Sequence, residues 1–221
     1  MKLYALPGSA SLASHIALEV VRDSVPPELP PISIILLGRE ENMGAAYRAI
    51  NPFGTVPALQ LEDGTVITES LAVLLWIADR FPGTGLAARP GNIERDRVHT
   101  LLSSMVTSAH NAFQMYRRTE RYVDEPRGQE AAKRLALNRL AELLAYFAGQ
   151  VRESGLLVGE QVTVADIMLF VVARWGMSLP HGTQNYPKLW DFTQRMAILP
   201  ATVRAMETEG ISMDVPADGL G

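Results

Sequence analysis

The hydrophobic period of this 221-residue chain changes once, and the change falls on a run of glycines and prolines. Residues 82–91 carry three glycines and two prolines, the composition of an interdomain linker. Before that run, short β-type segments alternate with helical stretches; after it, the pattern is helical almost throughout. The expected division is an α/β domain over residues 1–81, a linker over 82–91, an all-α domain over 92–210 and a flexible tail over 211–221.

Within the first part, residues 2–6 are an apolar run ended by Pro7-Gly8, and residues 11–22 then place Leu12, Ile16 and Val20 at helical spacing. Prolines over residues 26–31 prevent that helix from continuing, and residues 32–37 read as a buried β-branched strand. A loop over 38–43 and a helical turn over 45–49 lead to a strand at 57–61. Asp63-Gly64 marks a hairpin into 65–68, and residues 70–81 follow a helix. The order is βαβαββα.

In the second part, Val98, Leu101, Met105, Ala109 and Phe113 belong to one long helical stripe, and Leu135, Leu140, Leu144, Phe147 and Val151 to another. Thr163-Val164-Ala165-Asp166 opens a further helix with a threonine cap and an acid three residues on, a capping box with Asp for Glu, read as a folding signal. Residues 187–196 and 200–207 form two short terminal helices.

The chain contains no cysteine, which removes disulfides, thiolate metal sites and any protein thiol as nucleophile. Any sulfur chemistry must use a ligand's sulfur. A net charge of −4 gives no cationic field for nucleic acid, and Arg117, Arg118 and Arg121 read as a solvated helix face. No apolar run approaches the ~20 residues needed to span a bilayer, and the N-terminal apolar run is too short for a signal peptide, so a cytoplasmic protein without a membrane partner is expected. The histidines lack ligand spacing, so no metal is expected, and no phosphate loop or Gly-x-Ser-x-Gly elbow is present.

The segment Asn51-Pro52-Phe53-Gly54-Thr55-Val56-Pro57, followed by Glu69-Ser70 at a helix start, has chemical potential. Pro57 enters a strand, where proline marks an edge or a cis bond; a cis bond turns the Val56 peptide groups outward to pair with an extended peptide. Ser70 and its helix N-terminus offer donors to a carboxylate, and Glu69 an acceptor to an ammonium. Together they suit the two ends of an amino acid.

Met1-Lys2-Leu3-Tyr4 with Pro7-Gly8, Ser11-Leu12 and His15-Ile16, Asn51-Pro52-x-Gly54-x-Val56-Pro57, Glu69-Ser70 and Thr163-Val164-Ala165-Asp166 occur in one order. In that order the chain resembles the cytosolic glutathione S-transferases, most closely their bacterial beta class. The resemblance implies a thioredoxin-like N-terminal domain, an all-α C-terminal domain, a homodimer, a role in detoxification, and glutathione as cosubstrate. It also implies that Val56 pairs with the glutathione cysteine beside cis Pro57. Glu69 and Ser70 would hold the γ-glutamyl end, Arg39 would meet the glycyl carboxylate, and His110 would line the cleft. Ala10 stands where the beta class carries cysteine, and Asn111 where it usually carries lysine.

With Ala10 no mixed disulfide forms, so the expected catalytic groups are Ser11, then Ser9, and His110, which is either a polar wall of the electrophile site or a buried, satisfied histidine. Lowering a thiol pKa of ~8.5 by two units takes about 2.7 kcal/mol, and one hydrogen bond to a charged group supplies ~1.5–3 kcal/mol, so a hydroxyl suffices without a protein base. The second substrate is expected to be a hydrophobic electrophile beside Phe113, Tyr116, Trp175 and Asn111, with Met105, Ala109 and Met115 as further wall positions. Alternatives are a non-catalytic glutathione-binding interaction module and a glutathione-dependent peroxidase.

Overall fold

The computed structural model describes residues 1–24 and 31–215. The proline-rich break read over 26–31 lies outside it save for Pro31, and the tail read over 211–221 is described only to residue 215. The N-terminal part runs β1 (Lys2–Ala5), α1 (Ser11–Ser24), β2 (Ser33–Leu36), α2 (Ala45–Arg48), β3 (Ala58–Gln60), β4 (Val66–Thr68) and α3 (Ser70–Arg80), the expected βαβαββα order. The sheet order is β2-β1-β3-β4, with β1 parallel to β2 and the remaining pairs antiparallel.

Register decides where function can sit. Ala58 at the start of β3 lies opposite Tyr4 near the end of β1 and opposite Thr68 at the end of β4, and Leu36 at the end of β2 pairs with Ala5. The segments that leave or enter the sheet there are residues 6–11, 37–39, 56–57 and 69–70. Four stretches distant in sequence therefore meet at one end of the sheet. β2 is not the fully buried strand its β-branched run implied, because it is an edge strand with Ser33 and Leu36 exposed.

After a 3-10 turn at Pro82–Thr84 the chain is helical. It runs α4 (Ile93–Ser104), α5 (His110–Arg117), α6 (Pro126–Gln150), α7 (Val164–Gly176), α8 (Pro187–Ala197) and α9 (Pro200–Glu209). The stripe read as one helix is broken by a π turn, Met105–Ala109, immediately before His110. A π turn inserts one residue into the helical phase, so hydrophobic spacing alone does not reveal it. Proline at the first turn starts α6, α8 and α9, where its missing N–H costs nothing.

α7 is the axis of the molecule: every residue in it is buried, and it packs against α1, α4 and α8. Its start depends on Asp166, whose Oδ2 accepts the Thr163 N–H at 2.8 Å and whose Oδ1 accepts the Leu157 N–H at 2.7 Å. The acid is thus a structural cap, as read. α1 packs against α3 on one side and α7 and α9 on the other, so the N- and C-terminal parts share one continuous core.

Two side chains depart from the pattern reading. Leu135, assigned to a buried stripe, is 65% exposed, because the buried face of α6 runs through Ala136, Leu140, Leu143, Leu144 and Phe147. Arg117, assigned to a solvated cluster, turns inward and donates from Nη2 to Ser178 Oγ at 2.5 Å. Arg121 is exposed, as expected.

Candidate active site

The turn between β1 and α1 forms the floor of the site. Gly8 has φ +72°, a conformation that favours glycine, and the chain then enters α1 at Ser11. Ser11 is fully buried: its Oγ accepts the Leu6 N–H at 3.0 Å, lies 3.3 Å from the Leu6 carbonyl oxygen, and is 2.8 Å from Ser9 Oγ. Ser9 Oγ also accepts the Ser11 N–H at 3.3 Å. Ala10 is 3% exposed and belongs to the core.

On the neighbouring segment the Val56–Pro57 bond is cis, the alternative that the family resemblance implied and that the strand-entry proline alone had left open. Asn51 shapes the approach: its amide donates to the Thr55 carbonyl at 2.7 Å, and Tyr47 donates to the same oxygen, also at 2.7 Å. Burial pushes the Tyr47 hydroxyl up to about 12, so it stays a donor at any physiological pH. Val56 is half-buried beyond these contacts, and Pro57 is buried.

Glu69 is the only non-glycine with positive φ among the described residues, at +70°. Its side chain is exposed and makes no capping hydrogen bond to α3, although Glu69 occupies the cap position. A strained backbone of this kind costs ~1–3 kcal/mol. The strained cap leaves the Glu69 carboxylate exposed at the α3 N-terminus, with Ser70 buried beside it.

The opposite wall comes from α5 and α7. The Trp175 indole N–H donates to the Gly8 carbonyl at 2.9 Å, and its ring packs 5.4 Å from His110 and 5.5 Å, edge on, from Phe113. His110 is 3.2 Å from the Gln114 side-chain nitrogen, and burial pushes its pKa below the ordinary 6.5, favouring the neutral ring. Trp175 is 2% exposed. Its role here is to join the wall to the floor. Met105 and Ala109 are buried in the core, whereas Tyr116 and Met115 are half-buried farther along α5.

Asn111 points elsewhere. It is exposed, donates to the Thr107 carbonyl at 2.7 Å, and lines an apolar groove between α5 and α6 with Ala112, Met115, Leu135 and Ala136. Arg39 is exposed beside a cavity of about 490 Å³ that is also lined by Pro7, Gly8, Arg174, Ile211 and Ser212.

Two groups that sequence reasoning missed complete the site. Glu209 Oε2 accepts the Gly8 N–H at 2.8 Å, and Arg174 donates from Nε to the Ser212 carbonyl at 2.9 Å. Gly8 and Glu209 lie 201 positions apart, so no local pattern could connect them.

The sheet end therefore gathers Ser9, Ser11, Arg39, Val56, Pro57, Glu69 and Ser70, with His110, Phe113 and Trp175 facing the same turn. Residues 24–80 match the family model described as glutathione S-transferase, N-terminal domain, and residues 105–200 the one described as glutathione S-transferase, C-terminal domain. Glutathione S-transferase GstA of Escherichia coli O157:H7 is 33% identical over 211 residues, covering 96% of this chain and all of that protein. The bacterial beta-class glutathione S-transferase of Sphingomonas chungbukensis superposes with a TM-score of 0.81 at 30% identity, over 96% of this chain and 100% of that one. A sphingomonad glutathione S-transferase complexed with glutathione gives 0.80 at 31% identity, with the same coverage. The cis Val56–Pro57 bond, the strained Glu69 and these full-length matches lead to one conclusion: the chain belongs to the glutathione S-transferase family, with bacterial beta-class enzymes among its structural neighbours.

Proposed function

We propose that the chain is a glutathione transferase that activates the glutathione sulfur with serine hydroxyls and no protein thiol. The observation that carries this reading is the Ser9–Ser11 pair beside the buried Ala10. Ser9 Oγ receives the Ser11 N–H and lies 2.8 Å from Ser11 Oγ, a shorter contact than the 3.3 Å from Ser11 Oγ to the Leu6 carbonyl. With Ser11 donating to Ser9, both acceptor positions of Ser9 are filled and its own proton points away from the pair. Ser9 then donates to the thiolate directly, and Ser11 strengthens that bond from behind.

In this reading glutathione lies along the sheet end. The Val56 peptide groups pair with its cysteinyl residue, and Glu69 and Ser70 meet the ammonium and carboxylate of the γ-glutamyl end. Arg39 lies on the side of the glycyl carboxylate. The thiolate attacks an electrophilic carbon; the S–C bond forms as the leaving group departs with its electron pair, or as an activated double bond takes up the pair and then a proton. Tyr116 supplies the apolar wall, backed by the buried Phe113, with neutral His110 as its polar element. Asn111 contributes least to that wall, since its amide is held on the face toward α6.

The chain is proposed to act as a homodimer in the cytoplasm. Phe53 is 77% exposed in the loop before β3, and Leu135 is 65% exposed in the α5–α6 groove, two apolar surfaces that a second copy would cover. Calorimetric titration with glutathione, followed by conjugation assays on aromatic and enone electrophiles, tests the function. Binding with turnover is expected. Binding without turnover on any electrophile or peroxide favours an interaction module, and turnover on peroxides alone favours the peroxidase.

A further inference from the structure

We infer that Glu209, on the last turn of α9, is a positioning residue that fixes the sulfur-binding turn from the far end of the chain. The inference rests on the reading that this turn carries the thiolate donor. Both peptide groups of Gly8 are held from the helical part of the molecule. Its N–H donates to Glu209 Oε2 at 2.8 Å, and its carbonyl accepts the Trp175 indole N–H at 2.9 Å. Gly8 is also the residue whose φ of +72° sets the direction of Ser9.

Glu209 is 5% exposed, and its second oxygen, Oε1, lies 2.9 Å from Nδ1 of the fully buried His15 on α1. One carboxylate thus fastens the turn before α1 and the first half of α1 to the same point. A buried carboxylate that meets a backbone N–H and an imidazole has two strong reasons to keep one rotamer. The turn between them is then unable to rotate Gly8 without breaking a charge-assisted hydrogen bond. Preorganisation of this kind favours the transition state because the donor need not reorient as charge develops. A donor displaced by a fraction of an ångström loses rate while the rest of the glutathione site, built on β3 and α3, keeps its affinity.

The test compares full-length wild type, Glu209→Ala and Glu209→Gln by three readouts: the thiol pKa of bound glutathione from its ultraviolet thiolate band, kcat, and the glutathione Kd by calorimetry. Glu209→Ala is expected to raise the thiol pKa by about one unit and lower kcat about tenfold, with Kd within twofold. Glu209→Gln keeps an amide oxygen for the Gly8 N–H and should recover most of kcat. Should Glu209→Ala not fold, Trp175→Phe removes the other Gly8 bond and carries the same test, with the same expected shifts. A folded variant with wild-type thiol pKa and kcat overturns the inference. So does a loss of kcat matched by an equal loss of glutathione affinity at unchanged thiol pKa. Ser9→Ala run in parallel separates the layers: if it leaves the thiol pKa unmoved, the serine reading itself fails. If it moves the thiol pKa while Glu209→Ala does not, only the positioning role fails.

Discussion

Asp166→Ala should cost the protein a large share of its stability. The carboxylate accepts the Leu157 N–H at 2.7 Å, the Thr163 N–H at 2.8 Å and the Thr163 hydroxyl at 2.6 Å, all in a fully buried setting. The hydroxyl can rotate to another acceptor, but the two backbone donors cannot, and each left unpaired costs ~1–3 kcal/mol. The gross loss is about 2–6 kcal/mol against a total stability of ~5–15 kcal/mol for a domain. Deleting the acid also returns something, because burial holds its pKa above the ordinary 3.8 and so penalises the ionised form. With the folded value above the unfolded one, this group's contribution falls as pH rises through the window between them; the difference between wild type and Asp166→Ala is therefore smaller at neutral pH than in acid. At pH 7 the lower half of the range, about 2–4 kcal/mol, is expected, which at ~2–4 °C per kcal/mol lowers the melting temperature by about 4–16 °C. Asp166→Asn should cost nearly as much, since an amide has one acceptor oxygen and turns its NH2 toward a backbone donor. Thermal and guanidinium unfolding of the three proteins decide the matter. A variant melting within about 2 °C of wild type with an unchanged guanidinium midpoint would refute the reasoning that these donors depend on Asp166.

Four further outcomes are expected. Gly8→Ala places a Cβ at φ +72°, 3.4 Å from Arg174 Nη1, and should lower stability by about 1 kcal/mol and conjugation activity by more than that loss explains, checked by unfolding and steady-state kinetics. His110 should titrate below 6.5 when followed by NMR; since its folded pKa is the lower one, the fold loses stability as pH drops below 6.5, and the loss levels off below the folded value. Phe53→Ser should shift the protein toward monomer in sedimentation experiments, and an unchanged dimer would remove Phe53 from the interface. Phe113→Ala should raise KM for bulky aromatic electrophiles severalfold while leaving the glutathione Kd unchanged.

The order of elements was legible because its signals are local. Asp63-Gly64 makes a hairpin wherever it falls between strands, and proline starts α6, α8 and α9 by virtue of its own missing N–H. The Thr163–Asp166 cap was readable for the same reason, being set by residues three positions apart, whereas the cis bond at Pro57 came from the resemblance, because the proline alone left an edge or a cis bond open. What escaped was phase and distance. The π turn before His110 shifts the helix by a residue without changing its composition, and Leu135 lies in a helix whose buried face begins one residue later. Arg117 looked like part of an exposed cluster because its acceptor, Ser178, is 61 positions away. The resemblance supplied the glutathione-binding set, but it could not say that Ser11 is sealed behind Ser9. That follows only from the fold of residues 6–11.

The proposed function places activation of the glutathione sulfur on the hydroxyls of this turn. Titrating the ultraviolet thiolate band of glutathione bound to wild type, Ser9→Ala and Ser11→Ala measures it most directly. The wild-type complex should titrate about two units below the free thiol value of ~8.5, Ser9→Ala should recover one unit or more of that shift, and Ser11→Ala a smaller part. A wild-type complex that titrates like free glutathione, or two variants indistinguishable from wild type, would contradict it.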